Sequence, residues 1–386
     1  MTGVLSGLKV IDCSFGSAGP MAAGHLADHG AEVIRIERPG GDPFKPFLPA
    51  QALYNRGKSG IAVDLGRPEG RQVAQRLIAG ADVFIESWRP GGAARFGLDY
   101  AALHAAHPRL VYCSISGYGQ EGRDRDRPGY ESLVNARVGV MAEQYGHRAG
   151  PIFEGVPFTS WGAAMLAVIG IMTALVNREE DGAGRHVDTS LMDGALAFMS
   201  MYWEYGDLPE VRSTKNRRQV VASLPCADGE YLGMHTGAIG AHARFIEVLG
   251  LTDRVPPAAG AREKLELLTP EQQAVVDTEV PRIVASRARE ELLGALLDAD
   301  VCAIPVLRPT QVFDERQVRH NGYTVEVDDP DLGRVRQVGV VTRHRDAPGA
   351  VRAPAPRCGE HTDAVLRAAG YADADIAALR RAGAVA

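Results

Sequence analysis

The chain has 386 residues, of which 45% are hydrophobic and 23% are charged, and its formal net charge at pH 7 is −6. At about 150 residues per domain, this length is enough for two or three domains. The acidic balance and the lack of a long basic run argue against nucleic-acid binding. We therefore expect a soluble globular protein in which a few local cations hold any anionic ligand.

The first third of the sequence alternates between apolar runs and helical segments. The apolar runs predict strands at 4–12, 31–37, 60–64, 81–86 and 109–116, and one of the helical segments between them covers 68–79. Strands that alternate with helices of about 10–15 residues imply parallel crossover connections. The predicted fold class is therefore α/β with a doubly wound sheet. Ligands of such sheets bind beyond the carboxyl ends of the strands.

Two long apolar segments follow, at 158–178 and 188–205, and both are predicted to be helices. The first contains 19 uncharged residues from Phe158 to Val176, which is long enough to span a bilayer. Its Thr, Ser and Gly residues, and the lack of a second such segment in the sequence, favour a buried core helix. No membrane association is expected.

The character of the sequence changes near residue 213. The segment STKNRRQ is polar and basic, and a short β-like stretch and mixed helices follow it. We predict a large domain over 1–212, a smaller inserted α+β domain over 213–328, and a C-terminal return to the large domain over 329–386. The returning segment ends in two amphipathic helices with Gly370 between them.

The cysteines are odd in number and far apart in the sequence: Cys13, Cys113, Cys226, Cys302 and Cys358. This pattern suggests neither a disulfide framework nor a metal site. The histidine pairs with helical spacing have no clustered carboxylate or cysteine beside them, so no metal is expected. The N-terminus has no signal-peptide pattern, and we expect a cytoplasmic protein.

A set of local patterns along the chain carries a family resemblance. The patterns include GLKVIDCSFGSAGP, NRGKSGIAVDL, ADVFIESWRPGGAARFGL, RPGYE, GRHVDTSLMDGAL and PRCGEHTDAVLRAAGY. In this order they closely resemble class III coenzyme A transferases, a family that also contains the α-methylacyl-CoA racemases. The resemblance implies a Rossmann-like large domain, a small inserted domain and two chains interlocked like links. It also implies coenzyme A (CoA), an acyl-CoA and a carboxylic acid acceptor as ligands, and a homodimer or a heterodimer with a related chain.

The resemblance also implies which residues bind CoA. They are Ser17, Ala18, Arg38, Lys58, Ser87, Trp88, Arg95 and Tyr130. A CoA site needs cations for the phosphates and an apolar or aromatic wall for the adenine. Arg38 directly follows the strand AEVIRIE, where such a cation would serve. The alternatives are a solvated surface arginine at Arg38 and an ordinary turn at Ser17 and Ala18.

The family's transferases use an aspartate that attacks the acyl-CoA thioester and forms a mixed anhydride. The CoA thiolate converts this anhydride to an aspartyl-CoA thioester, which the acceptor acid attacks. The family pattern around that aspartate aligns with GVPFTSWGAAMLAVIGI and places Ser160 at its position, or Thr159 in a register shifted by one. A seryl ester lies lower in free energy than a thioester, so neither hydroxyl can repeat this relay. The glycine-rich loop of formyl-CoA transferases is also missing from STKNRRQVVASLP.

Neighbouring residues offer a replacement. The motif RPGYE carries Tyr130 and Glu131 where racemases carry a catalytic histidine, and tyrosine, with a pKa of about 10, is a poor base at neutral pH. Tyr130 instead matches a tyrosine that lies against CoA in the transferases. Glu131 and Glu154 are the nearest carboxylates that can substitute, and helix capping is the alternative role for each.

The sequence therefore predicts a CoA-transferase that lacks the usual aspartate. Its candidate catalytic residues are Glu131, Ser160 and Tyr130. A non-catalytic subunit of a heteromeric CoA-transferase, and an acyl-CoA racemase or hydrolase variant, remain as alternatives.

Overall fold

The computed structural model describes residues 3–45, 50–143, 150–207, 221–258, 260 and 268–386. The chain divides into two compact units, one formed by 1–200 with 319–386 and the other by 201–318. The predicted domain boundary between 212 and 213 lies outside the described residues. The predicted boundary between 328 and 329 falls inside a strand, Thr324–Asp329, of the larger unit.

In the part of the chain that the structure describes, six parallel strands form the central sheet of the larger unit. They are β1 (Lys9–Cys13), β2 (Glu32–Glu37), β3 (Ser59–Ala62), β4 (Val83–Glu86), β5 (Val111–Ser116) and β6 (His186–Ser190). Their order across the sheet is β3-β2-β1-β4-β5-β6. This is the order of a doubly wound Rossmann sheet, and the direction of winding reverses between β1 and β4. The predicted α/β class and parallel sheet are confirmed.

Helices connect these strands. They are α1 (Ala18–Asp28), α2 (Gln51–Tyr54), α3 (Pro68–Ala79), α4 (Tyr100–Ala106), α5 (Glu131–Arg137), α6 (Val140–Glu143), α7 (Phe158–Asp181) and α8 (Leu191–Asp207). The helix predicted from residue 188 was wrong in its first residues, because His186–Ser190 pairs with β5 as strand β6. The helix itself begins at Leu191. The Ser190 hydroxyl accepts the N–H of Asp193 at 3.0 Å and so caps its first turn.

Apolar side chains cover both faces of the sheet. Successive residues of a strand point to opposite faces, so Val10 and Val83 pack with α1 and α7, whereas Ile11 and Phe84 pack with α3. Helix α7 is long and apolar enough to cross a membrane by length and composition, and half of its apolar window is buried. Its buried face packs against α1 and β5, as predicted for a core helix.

The smaller unit contains an antiparallel sheet and three helices of eight or more residues in its described part. The sheet consists of β7 (Val221–Pro225), β8 (Tyr231–His235) and β9 (Cys302–Pro305). The helices are α9 (Ala241–Val248), α10 (Pro270–Val284) and α11 (Arg289–Asp298), followed by the short α12 (Pro309–Val312) and α13 (Arg316–His320). Its buried core includes Leu232, Phe245, Val280 and Leu292.

The C-terminal segment adds a hairpin and two helices to the larger unit. The hairpin pairs β10 (Thr324–Asp329) with β11 (Gly333–Val338). The helices are α14 (Thr362–Ala368) and α15 (Asp373–Arg381), and Gly370 lies between them with a φ of +82°. Such a left-handed backbone favours glycine, which explains why the two predicted helices separate there.

Candidate active site

A cavity of about 630 Å³ opens where the winding of the sheet reverses, beyond the carboxyl ends of β1, β4 and β5. The loops after these strands line it, together with the first turns of α1, α5 and α7. Seven of the predicted site residues meet here, namely Ser17, Ala18, Ser87, Trp88, Tyr130, Glu131 and Ser160. The sheet topology thus brings together residues from distant parts of the sequence.

Glu131 begins α5 and reaches the first turn of α7. Its Oε1 accepts the N–H of Thr159 at 2.8 Å, and its Oε2 accepts the N–H of Ser160 at 2.9 Å. The Ser160 hydroxyl donates a further hydrogen bond to Oε2. Pro157, the residue before α7, makes no side-chain cap, so Glu131 caps this helix from α5. The carboxylate therefore lies at the positive end of a 24-residue helix and borders the cavity.

The two hydroxyl candidates, Thr159 and Ser160, have different surroundings. Thr159 is fully buried, and its hydroxyl donates to the side-chain oxygen of Asn135. Ser160 is 6% exposed and lines the cavity, whereas Thr159 does not. Of the two registers that the sequence left open, only the one with Ser160 places a hydroxyl at the cavity.

Glu154, the other candidate carboxylate, also borders the cavity. Its Oε1 accepts the N–H of Val156 at 2.9 Å, so the side chain folds back on its own loop. The segment STKNRRQ, where the glycine-rich loop of formyl-CoA transferases is missing, lies outside the described residues. Among the residues that are described, no three His, Cys, Asp or Glu side chains form a group that could hold a metal ion.

Three aromatic rings form one wall of the cavity. Tyr130 packs edge-on against Phe44 at a centroid distance of 6.5 Å, and Phe44 stacks with Phe15 at 6.1 Å. Ser87 holds this wall in place, because its hydroxyl accepts the N–H of Phe15 at 2.9 Å and donates to the carbonyl of the same residue at 3.3 Å. An apolar wall with a few fixed polar groups is typical of small-molecule sites.

A second cavity of about 340 Å³ shares Trp88 and Phe15 with the first. Arg38 lines this second cavity, and its Nε donates to the carbonyl of Gly41 at 3.2 Å. Trp88 packs against Phe96 at 5.5 Å, and the Arg95 guanidinium lies 5.7 Å from the Phe96 ring without lining either cavity. Cations beside aromatic rings are the groups that a nucleotide needs.

Lys58 does not reach either cavity, so the predicted contact with phosphates does not fit its position. Its side chain has no exposed surface. The ammonium group donates to the Asp12 carboxylate at 2.9 Å, to the Pro20 carbonyl at 2.9 Å and to the Asn55 side chain at 3.0 Å. These contacts use all three donors of a lysine. The correction is that Lys58 forms a buried ion pair beneath the site.

The ion pair of Lys58 and Asp12 also includes Arg35, whose guanidinium lies 3.4 Å from the Asp12 carboxylate. Burial by itself raises the pKa of Asp12, but Lys58 and Arg35 together hold that pKa below its ordinary value. Burial lowers the pKa of Lys58 to about 8, against the pull of Asp12. The three charges lie next to the loop after β1, which they support from inside the protein.

The sequence model of CoA-transferase family III matches residues 5–362. The chain belongs to CoA-transferase family III. Succinyl-CoA:glutarate CoA-transferase of Homo sapiens is 30% identical over 400 residues, which span 99% of this chain and 90% of that protein. The β subunit of succinyl-CoA–L-malate CoA-transferase of Chloroflexus aurantiacus is 29% identical over 395 residues, which span 97% of this chain and 96% of that protein.

A crystal structure of a CaiB/BaiF family protein from Brucella suis matches the family III fold of this chain. The TM-score is 0.81 at 29% identity, and the match covers 96% of this chain and 100% of that one. The curated relatives described above carry the names of CoA-transferases, and this chain is an enzyme of the same class.

Two further residues, Arg125 and Arg127, line the cavity. Neither of them was identified as a site residue from the sequence. Arg127 lies 2.6 Å from the Asp124 carboxylate, which also pairs with Arg137. Arg125 donates to the Gln120 carbonyl at 3.2 Å, and its exposed guanidinium lies 3.7 Å from the Asp126 carboxylate. The alternating charges of GRDRDRPG are typical of a solvated loop, so only the fold shows that both residues border the same cavity as Glu131.

Proposed function

We propose that this protein transfers CoA from an acyl-CoA to a carboxylic acid, and that Glu131 carries first the acyl group and then CoA. One observation carries this proposal, the position of the Glu131 carboxylate beside Ser160 at the edge of the cavity. By the resemblance, related transferases have their catalytic aspartate at the position that Ser160 occupies here. Here α5 supplies a carboxylate to the same turn of α7.

The relay needs no external acid or base. A carboxylate oxygen of Glu131 attacks the thioester carbonyl carbon, the C–S bond breaks, and CoA leaves as a thiolate. The product of this step is a mixed anhydride of Glu131 and the donor acid. The thiolate then attacks the carboxyl carbon of Glu131, which releases the donor acid as a carboxylate and leaves a glutamyl-CoA thioester. The acceptor carboxylate attacks this thioester, and the thiolate that is released attacks the acceptor's carbonyl carbon. The products are a new acyl-CoA and free Glu131.

The first turn of α7 supports these steps. When the thiolate attacks the carboxyl carbon of Glu131, negative charge develops on a carboxyl oxygen of that side chain. The N–H groups of Thr159 and Ser160 and the Ser160 hydroxyl already donate to these oxygens. Donors that are fixed before the reaction stabilise such charge without rearrangement.

The variant Ser160→Ala distinguishes the Glu131 relay from a mechanism in which Ser160 forms an ester that water hydrolyses. We expect kcat for CoA transfer to fall by about a hundredfold, because one of three donors to the Glu131 carboxylate is lost while the carboxylate remains. The measurement is the initial rate of transfer, and Ser132→Ala, which changes another hydroxyl at the cavity, is the matched control. A complete loss of turnover in Ser160→Ala, with the fold intact, would support a serine nucleophile instead.

Arg38 is proposed to bind the nucleotide end of CoA, since it lies exposed at the carboxyl end of β2 and lines the cavity beyond Trp88. Arg38→Ala is expected to raise KM for the acyl-CoA by about tenfold and to leave kcat unchanged, because the contact is the same in substrate and transition state. Arg109→Ala removes an exposed arginine that lines neither cavity and serves as the control. An unchanged KM in Arg38→Ala contradicts this placement of CoA.

The acids are proposed to be dicarboxylic. The relatives described above are named for succinyl-CoA with glutarate or L-malate. Arg125 and Arg127 offer positive charge at the cavity for a second carboxylate. Mixing the purified chain with succinyl-CoA and glutarate, and following glutaryl-CoA by liquid chromatography, tests the proposed activity. CoA binding without any transfer to a mono- or dicarboxylic acid would contradict it.

A second candidate function is that of a subunit whose partner supplies the missing aspartate. It is supported by Ser160 and by two relatives from Chloroflexus aurantiacus that are named as the α and β subunits of one transferase. Turnover by the purified chain alone contradicts this candidate. The interlocked dimer, formed with an identical or a related chain, and the cytoplasmic location stay predictions.

A further inference from the structure

Strand β4 ends in a charged residue that the transfer steps above do not use. Glu86 is 4% exposed and follows the apolar residues of this strand. Its Oε2 accepts the backbone N–H of Trp88 at 2.7 Å. Trp88 lines both cavities, so this buried carboxylate is bonded directly to the wall between them.

Groups from the neighbouring strands face Glu86. Cys13 of β1 lies beside it in register, and Ser114 of β5 lies on its other side. Asp188 of β6 pairs in register with Ser114 and is the next acidic group along this row. Tyr112 of β5 lies two residues before Ser114, and its hydroxyl donates to the Leu98 carbonyl at 3.0 Å. No cation stands among these neighbours in the described part of the sheet.

Ser114 and His186 lie between Glu86 and the edge of the sheet. Ser114 lies beside Glu86 in register, and its hydroxyl is 2.9 Å from Nε2 of His186. His186 is on the edge strand β6 and is exposed, and burial of part of its ring lowers its pKa.

Burial raises the pKa of Glu86 to about 7, and the nearby Ser114 hydroxyl and the Trp88 N–H oppose that rise. The carboxyl thus changes its charge near neutral pH. An ionised oxygen accepts an N–H more strongly than a neutral one, so protonation weakens the bond to Trp88.

We propose that Glu86 is a positioning residue whose ionised form holds Trp88 in place for CoA, so that affinity for CoA falls when Glu86 is protonated. This inference deepens the proposed function and rests on it, because it takes CoA to bind beside Trp88. Trp88 touches CoA, and Glu86 acts only through the Trp88 backbone. The bound proton then regulates entry of the substrate and leaves the Glu131 relay unchanged.

The direction of the pH effect follows from the raised pKa. Above about pH 7 the carboxyl is ionised and Trp88 is held, whereas below it the neutral form dominates. If only the ionised form binds CoA, the apparent Kd rises by about tenfold between pH 8 and pH 6. Glu86→Gln keeps an oxygen that accepts the Trp88 N–H but has no proton to lose, so its Kd follows only the titration of CoA itself.

Calorimetric titration with CoA, at several pH values between about 6 and 8, measures Kd for the unchanged chain and for Glu86→Gln. The expected result is a Kd that rises towards acid pH by about tenfold more in the unchanged chain than in Glu86→Gln. A Kd with the same pH dependence in both proteins overturns the inference. CoA binding in such a result would still support the proposed CoA site beside Trp88. KM for the acyl-CoA should follow the same profile and kcat should not.

Fluorescence of the unliganded protein tests the link without CoA. The chain has three tryptophans, and subtraction of the Trp88→Phe spectrum isolates Trp88. We expect its emission to change with a midpoint near pH 7 in the unchanged chain, and to show no such change in Glu86→Gln, whose side chain does not ionise. A Trp88 signal that is flat across this range overturns the inference. Absence of CoA binding at every pH, with the fluorescence change present, contradicts the proposed function and leaves the link between Glu86 and Trp88 standing.

Discussion

Glu131→Gln is expected to reduce kcat for CoA transfer by about a thousandfold or more. A glutamine amide does not attack a thioester and cannot form the mixed anhydride, so both covalent intermediates are lost. The amide oxygen can still accept one N–H from the first turn of α7, and the weaker cap costs about 1 kcal/mol of stability. Initial rates of transfer, with the free energy of unfolding in urea, measure the two effects separately.

Glu154→Gln is the matched control for this variant. Glu154 borders the same cavity, and its Oε1 accepts the N–H of Val156 in its own loop. Its kcat should stay close to that of the unchanged chain. Near-normal turnover in Glu131→Gln, or an equal loss in both variants, would contradict the assignment of the relay to Glu131.

Lys58→Met is expected to lower the free energy of unfolding by about 3–5 kcal/mol, because it removes one partner of a buried ion pair. Asp12 would then keep a buried charge with Arg35 3.4 Å away and no ammonium group. Urea unfolding at neutral pH measures the loss. CoA affinity of the folded variant should be unchanged, since the Lys58 side chain has no exposed surface.

Arg38→Ala is the matching control, and we expect it to lower CoA affinity without lowering stability. Arg38 is exposed, so its loss should change the free energy of unfolding by no more than about 0.5 kcal/mol while CoA affinity falls. If Lys58→Met instead keeps its stability and loses CoA, Lys58 binds the phosphates and the structural role is wrong.

The ion pair of Lys58 and Asp12 also makes the stability of the folded state depend on pH. Because Lys58 and Arg35 hold the pKa of Asp12 below its ordinary value, the folded state favours the ionised carboxylate. The stabilising contribution of Asp12 is therefore fully present above the pKa of the unfolded carboxyl. It is lost as the pH falls through the lower folded value.

The sheet could be predicted where burial leaves a clear pattern. Strands β2 and β4 are buried on both faces, so their apolar runs at 31–37 and 81–86 were visible in the sequence. Strand β6, HVDTS, is half polar and lies at the edge of the sheet. Only its pairing with β5 makes it a strand, and no local pattern shows that pairing.

The cavity could be predicted in part for a similar reason. Ser17 and Trp88 lie in loops that follow β1 and β4, and the carboxyl ends of neighbouring parallel strands share one edge of the sheet. The contact between Glu131 and Ser160 joins two helices 29 residues apart in the sequence and needs the fold to be seen. Lys58 carries the same charge whether it forms a buried ion pair or faces solvent, so its sequence pattern alone could not place it.

The central claim is that Glu131 forms a covalent bond to CoA during transfer. Borohydride added while the purified chain turns over an acyl-CoA reduces a glutamyl thioester to an alcohol, and peptide mass spectrometry locates the change. We expect reduction of Glu131 only when acyl-CoA is present, and none in Glu131→Gln. Transfer that proceeds with Glu131 unmodified, or with an acyl ester on Ser160 instead, would contradict it.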